Sequence, residues 1–231
     1  DDLPAFRAAL EAAARHTPAA VFFSPGRYCF DPGGDRRCFS IANASDLLID
    51  GRGAEIAIRQ PLAGLGVLSG CRRVILRNLS LDYDPLPFTQ GAVVSLDLAA
   101  AAFEVEIAAG FPALDSPCFS QSSTRWIFLK DPAIAGRQKS GVPNVLILRE
   151  WRRVGQRMFR VSVFPSQIRF FAVGDRCVFP ASGSPMIAIN NSIQVTCQNL
   201  KAYSGPGPFF VGAGDECINL LGCETRILPG R

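Results

Sequence analysis

Short apolar pulses recur along this chain and set its register. In FSIANASDLLIDGRGAEIAI (39–58), Leu47 and Ile49 alternate with polar residues, Gly51-Arg52-Gly53 interrupts, and Ile56 and Ile58 resume. VLSGCRRVILRNLSLDYDP (67–85) repeats the figure with Val74, Leu76, Asn78, Leu79 and Leu81. SIQVTCQNLKAYSGP (192–206) brings it back as Val195, Cys197, Asn199, Leu200 and Ala202, and DECINLLGCETRI (215–227) as Ile218, Leu220, Gly222, Cys223 and Thr225. A period of two marks strands with one buried side. Aligned on the first apolar position, Val74 follows Leu47 by 27 residues and Ile218 follows Val195 by 23. Stacked repeats of about 20–45 residues form solenoids, and this length suits one coil of a right-handed parallel β-helix. The Asn or Gly at the fifth place suits a tight bend between two short strands, where left-handed backbone angles are required.

The 121 residues from Val74 to Val195 are too many for one coil. Within them AVVSLDL (92–98), FEVEIAA (103–109), RWIFLKD (125–131), NVLILREW (144–151), FRVSVF (159–164) and DRCVFP (175–180) read as antiparallel strands with one wet face. Residues 92–180 are therefore expected to form a β-barrel or β-sandwich inserted between two coils. Gly155-Gln156 and Gly174-Asp175 read as hairpin-type turns, and 110–124 and 132–143 as longer loops. At the front, DDLPAFRAALEAAARHTPAA (1–20) reads as a helix, with Leu3, Phe6, Leu10 and Ala13 at helical spacing and Asp1 and Asp2 placed to cap it. His16 falls near its C-terminal end, where a cation suits the helix dipole. VFFSPGRYCFD (21–31) reads as strand, Pro-Gly turn, strand.

The expected fold class is all-β: a right-handed parallel β-helix with an N-terminal capping helix (1–91 with the first coils), an inserted antiparallel subdomain (92–180) and continuing coils (181–231). The chain opens without Met and stops just after a pulse. A parallel coil needs a cap over its open end, so these residues are expected to be a segment of a longer protein.

Composition narrows the function classes. Apolar residues make up 48% and charged residues 19%, which suits a globular chain. The 24 Lys and Arg are scattered, without a basic stripe interleaved with aromatics, so no nucleic-acid partner is expected. No apolar run is long enough to span a membrane. There are eight Cys and one His, with no CxxC pair, so no metal and no cofactor are expected. Cys197, Cys217 and Cys223 sit within the pulses and read as small buried core residues. A Cys29–Cys38 disulfide stays open.

Two resemblances have residues under them. DDLPAFRAALEAA followed by VFFSPGRY resembles the opening of the pectate-lyase-like β-helix superfamily, in which a helix caps the coil before a Pro-Gly-x-Tyr turn. LSLDYDPLPFTQG (79–91), the β-rich insertion, and AYSGPGPFFVGAGDECINLLGCETRILPGR (202–231) together look like glycoside hydrolase family 110, the exo-acting α-1,3-galactosidases. That resemblance would cover most of the chain. It implies a metal-independent, inverting hydrolase acting on an oligosaccharide or polysaccharide with terminal galactose, and a secreted, periplasmic or cell-surface location. Inverting hydrolysis needs one carboxylic acid and one carboxylate about 6.5–9.5 Å apart.

Asp215 and Glu216 are the catalytic candidates, because Gly214-Asp215-Glu216 is similar to the Gly-Asp-Asp run of polygalacturonase-like β-helix enzymes. Parity opposes that role. Ile218, Leu220 and Gly222 point inward, so an extended strand would carry Glu216 into the apolar coil, where a carboxylate is costly. The pair is expected in the turn before the strand, and the resemblance puts the main catalytic aspartates past Arg231. Asp82 and Asp84, two apart at a strand end, are candidates for accepting hydrogen bonds from sugar hydroxyls, with Gln90 at the mouth of the insertion. Tyr203, Trp126 and Trp151 are candidates for stacking on a sugar, although each also suits core packing. Arg231 is near the cleft by family position. The alternatives are a polygalacturonase or pectate-lyase-type enzyme, for which the acidic Ca²⁺ cluster of a lyase is not evident, and a non-catalytic carbohydrate-binding or adhesion module.

Overall fold

The computed structural model describes residues 1–131, 134 and 137–226. They form two compact units, Asp1–Pro85 with the chain from Gly183 onward, and Leu86–Ser182.

The first unit opens with helix α1 (Leu3–Ala13), whose Leu3, Phe6, Leu10 and Ala13 are buried along one stripe. Asp1 accepts the Leu3 N–H at 3.2 Å, while Asp2, at the N-cap, gives its carboxylate to the Cys29 N–H at 2.8 Å instead. The helix is shorter than the 1–20 its composition suggests. Pro18 has no N–H to donate and disfavours helical angles at Thr17, and Ala19–Phe22 already forms strand β1. His16 consequently lies beyond the helix, in a turn that closes on Ala13 O.

The first unit continues through β2 (Arg27–Phe30), β3 (Arg37–Ala42), β4 (Ser45–Ile58), β5 (Gly64–Ser69) and β6 (Arg72–Tyr83). The second unit supplies β7 (Phe88–Asp97), β8 (Ala102–Ile107), the short helix α2 (Pro117–Ser120), β9 (Trp126–Lys130), β10 (Leu146–Arg153), β11 (Met158–Val163) and β12 (Arg176–Pro180). The chain then returns with β13 (Ile187–Asn190), β14 (Ile193–Ala202), β15 (Phe210–Ala213), β16 (Asn219–Leu221) and β17 (Glu224–Thr225).

All strand pairs of the first unit are parallel, as a β-helix requires. One sheet runs β1–β4–β6–β14–β16, with β2 and β17 on the second halves of β4 and β14, and the other runs β15–β13–β5–β3. Equivalent pulse residues stack: Leu47 on Val74 on Val195, then Ile49 on Leu76 on Cys197. Beyond the bend, Ala54, Leu79 and Leu200 form the next column, and Ile56, Leu81 and Ala202 the one after. All of these are buried, and each large aliphatic side chain contributes about 1.5–3 kcal/mol.

Left-handed residues mark each corner in columns. Asn43, Gly70, Asn191 and Gly214 form one, Asp46, Arg73, Gln194 and Cys217 a second, and Arg52, Asn78, Asn199 and Gly222 a third, all with φ between 49° and 69°. Along the third, Asn199 donates to Asn78 at 3.1 Å and Asn78 donates to Asp50 at 2.9 Å. At Gly222 a Cβ would come within 2.7 Å of Asn199 Oδ1, so the amide stack ends on a residue with no side chain.

The second unit is a closed barrel in the order β10–β11–β8–β7–β12–β9, not a sandwich. Alternate residues such as Phe103, Val105, Ile127, Leu129, Phe159, Val161 and Phe179 fill it. Gly155-Gln156 does turn a hairpin, between β10 and β11. Gly174-Asp175 does not, because the strands on either side of it, β11 and β12, are not neighbours. Asp175 instead receives Lys139 and the Ala172 N–H at 2.7 Å each, a buried carboxylate that closes the approach to β12.

All eight cysteines are free thiols, which removes the Cys29–Cys38 disulfide. Cys197 is buried as expected, Cys223 is half-buried, and Cys217 is exposed because it occupies a left-handed corner rather than a strand position.

Candidate functional site

The second half of the long sheet presents two outward columns. Parity alternates them with the buried columns described above. Glu55, Ser80, Lys201 and Glu224 form one. Ala57, which is buried at 2% exposure, and Asp82 begin the other. Tyr203 and Arg226 extend it, through Tyr203 N–H to Leu81 O at 2.9 Å and Arg226 N–H to Ala202 O at 2.8 Å.

Asp82 and Tyr203 thus meet on adjacent rungs, about 4.8 Å apart. Ser204 Oγ donates to Asp82 Oδ1 at 2.7 Å, and the Tyr83 N–H donates to the same oxygen at 2.8 Å. Tyr83 itself turns inward, 1% exposed, with its hydroxyl on Ala63 O at 2.6 Å. Burial drives that phenol far above its usual titration range. Asp84, one residue past the strand, pairs with Arg59 at 2.8 Å; both side chains are about half exposed. Solvent screening leaves such an exposed pair little weight in stability.

Beside these columns runs a polar groove of about 470 Å³, following the bend of the sheet and lined by Arg52, Asn78, Ser80, Asn199, Lys201 and Glu224. Lys201 and Glu224 face each other across it at 3.9 Å. The sequence reading missed Arg52, Ser80, Lys201 and Glu224. Their signal was parity, since Ser80, Lys201 and Glu224 alternate with buried residues of the second strand half.

Asp215 and Glu216 lie between β15 and β16, outside both strands. Asp215 Oδ1 accepts the Ser192 N–H at 2.8 Å and Oδ2 accepts the Ala213 N–H at 2.9 Å. Glu216 joins the ladder by its backbone, donating to Ser192 O and accepting from Gln194 N–H, each at 2.9 Å, while its side chain is exposed. The inward neighbour Leu220 is 48% exposed on the last described rung, less covered than its parity suggests. Asp215 also borders a hollow of about 350 Å³ with Ile189, Phe210, Ile218 and Leu220.

Gln90 belongs to the barrel unit, on β7 opposite Val178 of β12, with its carbonyl accepting the Ala108 N–H at 2.8 Å. Trp126 is 39% exposed on β9 rather than packed in a core, and Trp151 lies under the Arg125 guanidinium at 5.3 Å. Arg231 and the Pro-Gly-Arg motif lie outside the described residues. A further cleft of about 750 Å³ separates α1 from β3, lined by Arg7, Glu11, His16, Arg36 and Arg37 among others. Among the described residues no three His, Cys, Asp or Glu side chains gather as a metal-ligand set. No helix among them is long and apolar enough to cross a membrane.

The class is set by the architecture: a parallel β-helix, consistent with the pectate-lyase-like fold, whose chain also forms an antiparallel barrel. No family profile matches the chain, and no curated protein matches it.

Proposed function

We propose that this chain is the sugar-binding part of a carbohydrate-active β-helix protein that takes a terminal α-galactoside. The observation that carries the proposal is the Asp82–Ser204 hydrogen bond, 2.7 Å long, beside Tyr203 on the outer face of adjacent rungs. A carboxylate and a hydroxyl set together match the donors and acceptors of vicinal sugar hydroxyls, and a phenol ring packs on the C–H face of a pyranose. Lys201, Ser80 and Glu224 in the neighbouring groove extend the polar wall.

In this proposal Asp215 and Glu216 do no chemistry. Both oxygens of Asp215 already accept backbone N–H groups, which is a turn-forming role. In this reading the protein is a secreted, periplasmic or cell-surface inverting hydrolase whose acid and base are residues other than Asp215 and Glu216.

Calorimetry and hydrolysis assays with α-1,3-galactobiose test this. The expected result is binding without turnover, weakened about tenfold by Asp82→Asn and again by Tyr203→Ala. Affinity unchanged in both variants would remove the sugar-binding assignment. Turnover abolished by Asp215→Asn would return the chemistry to the Gly-Asp-Glu turn.

A further inference from the structure

The barrel carries a charge arrangement on its outer face that folding alone disfavours. On β9, buried Ile127 and Leu129 alternate with outward Trp126, Phe128 and Lys130. On β12, buried Cys177 and Phe179 alternate with outward Arg176, Val178 and Pro180. The antiparallel register sets Arg176 directly opposite Lys130 and Val178 opposite Phe128. Like charges directly opposed on adjacent strands destabilise a sheet.

Among the described residues neither cation forms an ion pair, and Glu106, exposed in the same cross-strand row, stands opposite Ala92 with that strand between it and Arg176. The adjacent carboxylates are engaged elsewhere, Asp131 with Arg137 and Asp175 with Lys139, each at 2.7 Å. The other cross-strand neighbour of Arg176 is Ala92. Two cations therefore face each other across strands about 4.8 Å apart, at one end of a row whose other end is the open ring of Trp126. That row, Trp126–Phe128–Lys130, is about 13 Å long at roughly 3.3 Å per residue.

We propose that this face binds a short acidic oligosaccharide. Its carboxylate or sulfate sits between Lys130 and Arg176, and a neutral pyranose ring packs on Trp126. A guanidinium forks such an anion through two N–H groups, and the ammonium adds a point charge. The indole covers the apolar sugar face. Single-stranded nucleic acid fits less well, because it needs a series of rings on which bases stack. Trp126 and Phe128 stand edge to face, with centroids 6.5 Å apart.

The test titrates the intact chain with sialyllactose, sulfated lactose, lactose and a short oligothymidylate, read by calorimetry and tryptophan fluorescence. At least one acidic sugar is expected to bind about tenfold tighter than lactose, with a margin that shrinks as salt rises. Comparison of the two acidic sugars tells carboxylate from sulfate. Arg176→Gln and Lys130→Gln are each expected to abolish that margin while raising Tm, because the repulsion is relieved as the ligand is lost. Trp126→Ala is expected to weaken acidic and neutral sugars alike. Equal affinity for lactose and both acidic sugars overturns the proposal, as does tighter binding of the oligothymidylate. So does an Arg176→Gln variant that keeps full affinity or lowers Tm.

Discussion

At the scale of single residues, two aspartates show why a carboxylate's partners matter more than its neighbours in sequence. Asp215 stands in a Gly-Asp-Glu run that looks catalytic, yet its oxygens staple the turn through Ser192 and Ala213. Replacing it with Ala leaves two N–H groups without that acceptor and is expected to cost about 1–3 kcal/mol, seen as a lower urea midpoint. A midpoint unchanged from wild type would mean that water replaces the staple at no cost. Asp50, by contrast, drew no attention in the sequence because it reads as one polar residue in an alternating strand. It is 5% exposed and receives Asn78 at 2.9 Å, the Arg52 N–H at 3.0 Å and Arg77 at 2.8 Å. Desolvation pushes its pKa up, but those hydrogen bonds and the Arg77 charge together outweigh it, so the carboxyl titrates below the usual aspartate range. A depressed folded pKa means that the stability Asp50 supplies is complete above the unfolded value of about 3.9. It is lost as pH falls through the lower folded value. Asp50→Asn should therefore flatten the acid limb of the stability curve below about pH 4 and leave its slope near neutrality unchanged.

At the scale of elements, the corner columns do what the pulses alone cannot. Alternation says which side of a strand is buried, but the column of Arg52, Asn78, Asn199 and Gly222 says where the strand bends. Asn78, Asn199 and Gly222 at the fifth place were legible because few residues tolerate a left-handed angle cheaply, whereas in the first coil that angle falls on Arg52 and not on the fifth-place Gly51. Arg73, Gln194 and Cys217 were not legible, since nothing in their chemistry advertises φ values of 54–58°. The Arg73–Asp46 ion pair, with contacts at 2.5 and 2.7 Å, holds one of these corners through side chains. The column also gives a graded prediction. Asn199→Gly keeps the backbone angle accessible and loses only the amide bond to Asn78, about 1 kcal/mol. Asn199→Ala loses that bond and adds the left-handed penalty, for about 2 kcal/mol or more in all. Urea midpoints at constant m-value measure both, and equal losses in the two variants would show that the backbone angle is not what the position selects for.

At the scale of the whole molecule, repeat spacing and a change of periodicity together made the architecture readable. The offsets of 27, 121 and 23 residues recur in side-chain contacts, between Arg73 and Asp46, Asn199 and Asn78, and Ser192 and Asp215. The outward columns were less readable, because Ser80, Lys201 and Glu224 become neighbours only through the stacking register, which no local pattern states. The cysteines turn this organisation into a measurement. Cys38, Cys71 and Cys197 are buried in the first unit, and Cys118 and Cys177 in the second. Burial pushes the thiols of Cys38 and Cys197 up to about 12 and that of Cys118 to about 11, and it raises Cys71 and Cys177 as well. A thiolate-seeking reagent at neutral pH therefore needs unfolding to reach them, whereas exposed Cys217 should react at once. Each compact unit has its own core and should open cooperatively. With rising urea, Cys38, Cys71 and Cys197 should become reactive together at one midpoint, and Cys118 and Cys177 together at one midpoint, as read by mass spectrometry of labelled peptides. If Cys38 were released well before Cys197, the stacked coils would be unzipping rung by rung, as one-dimensional repeat arrays can, rather than melting as a unit.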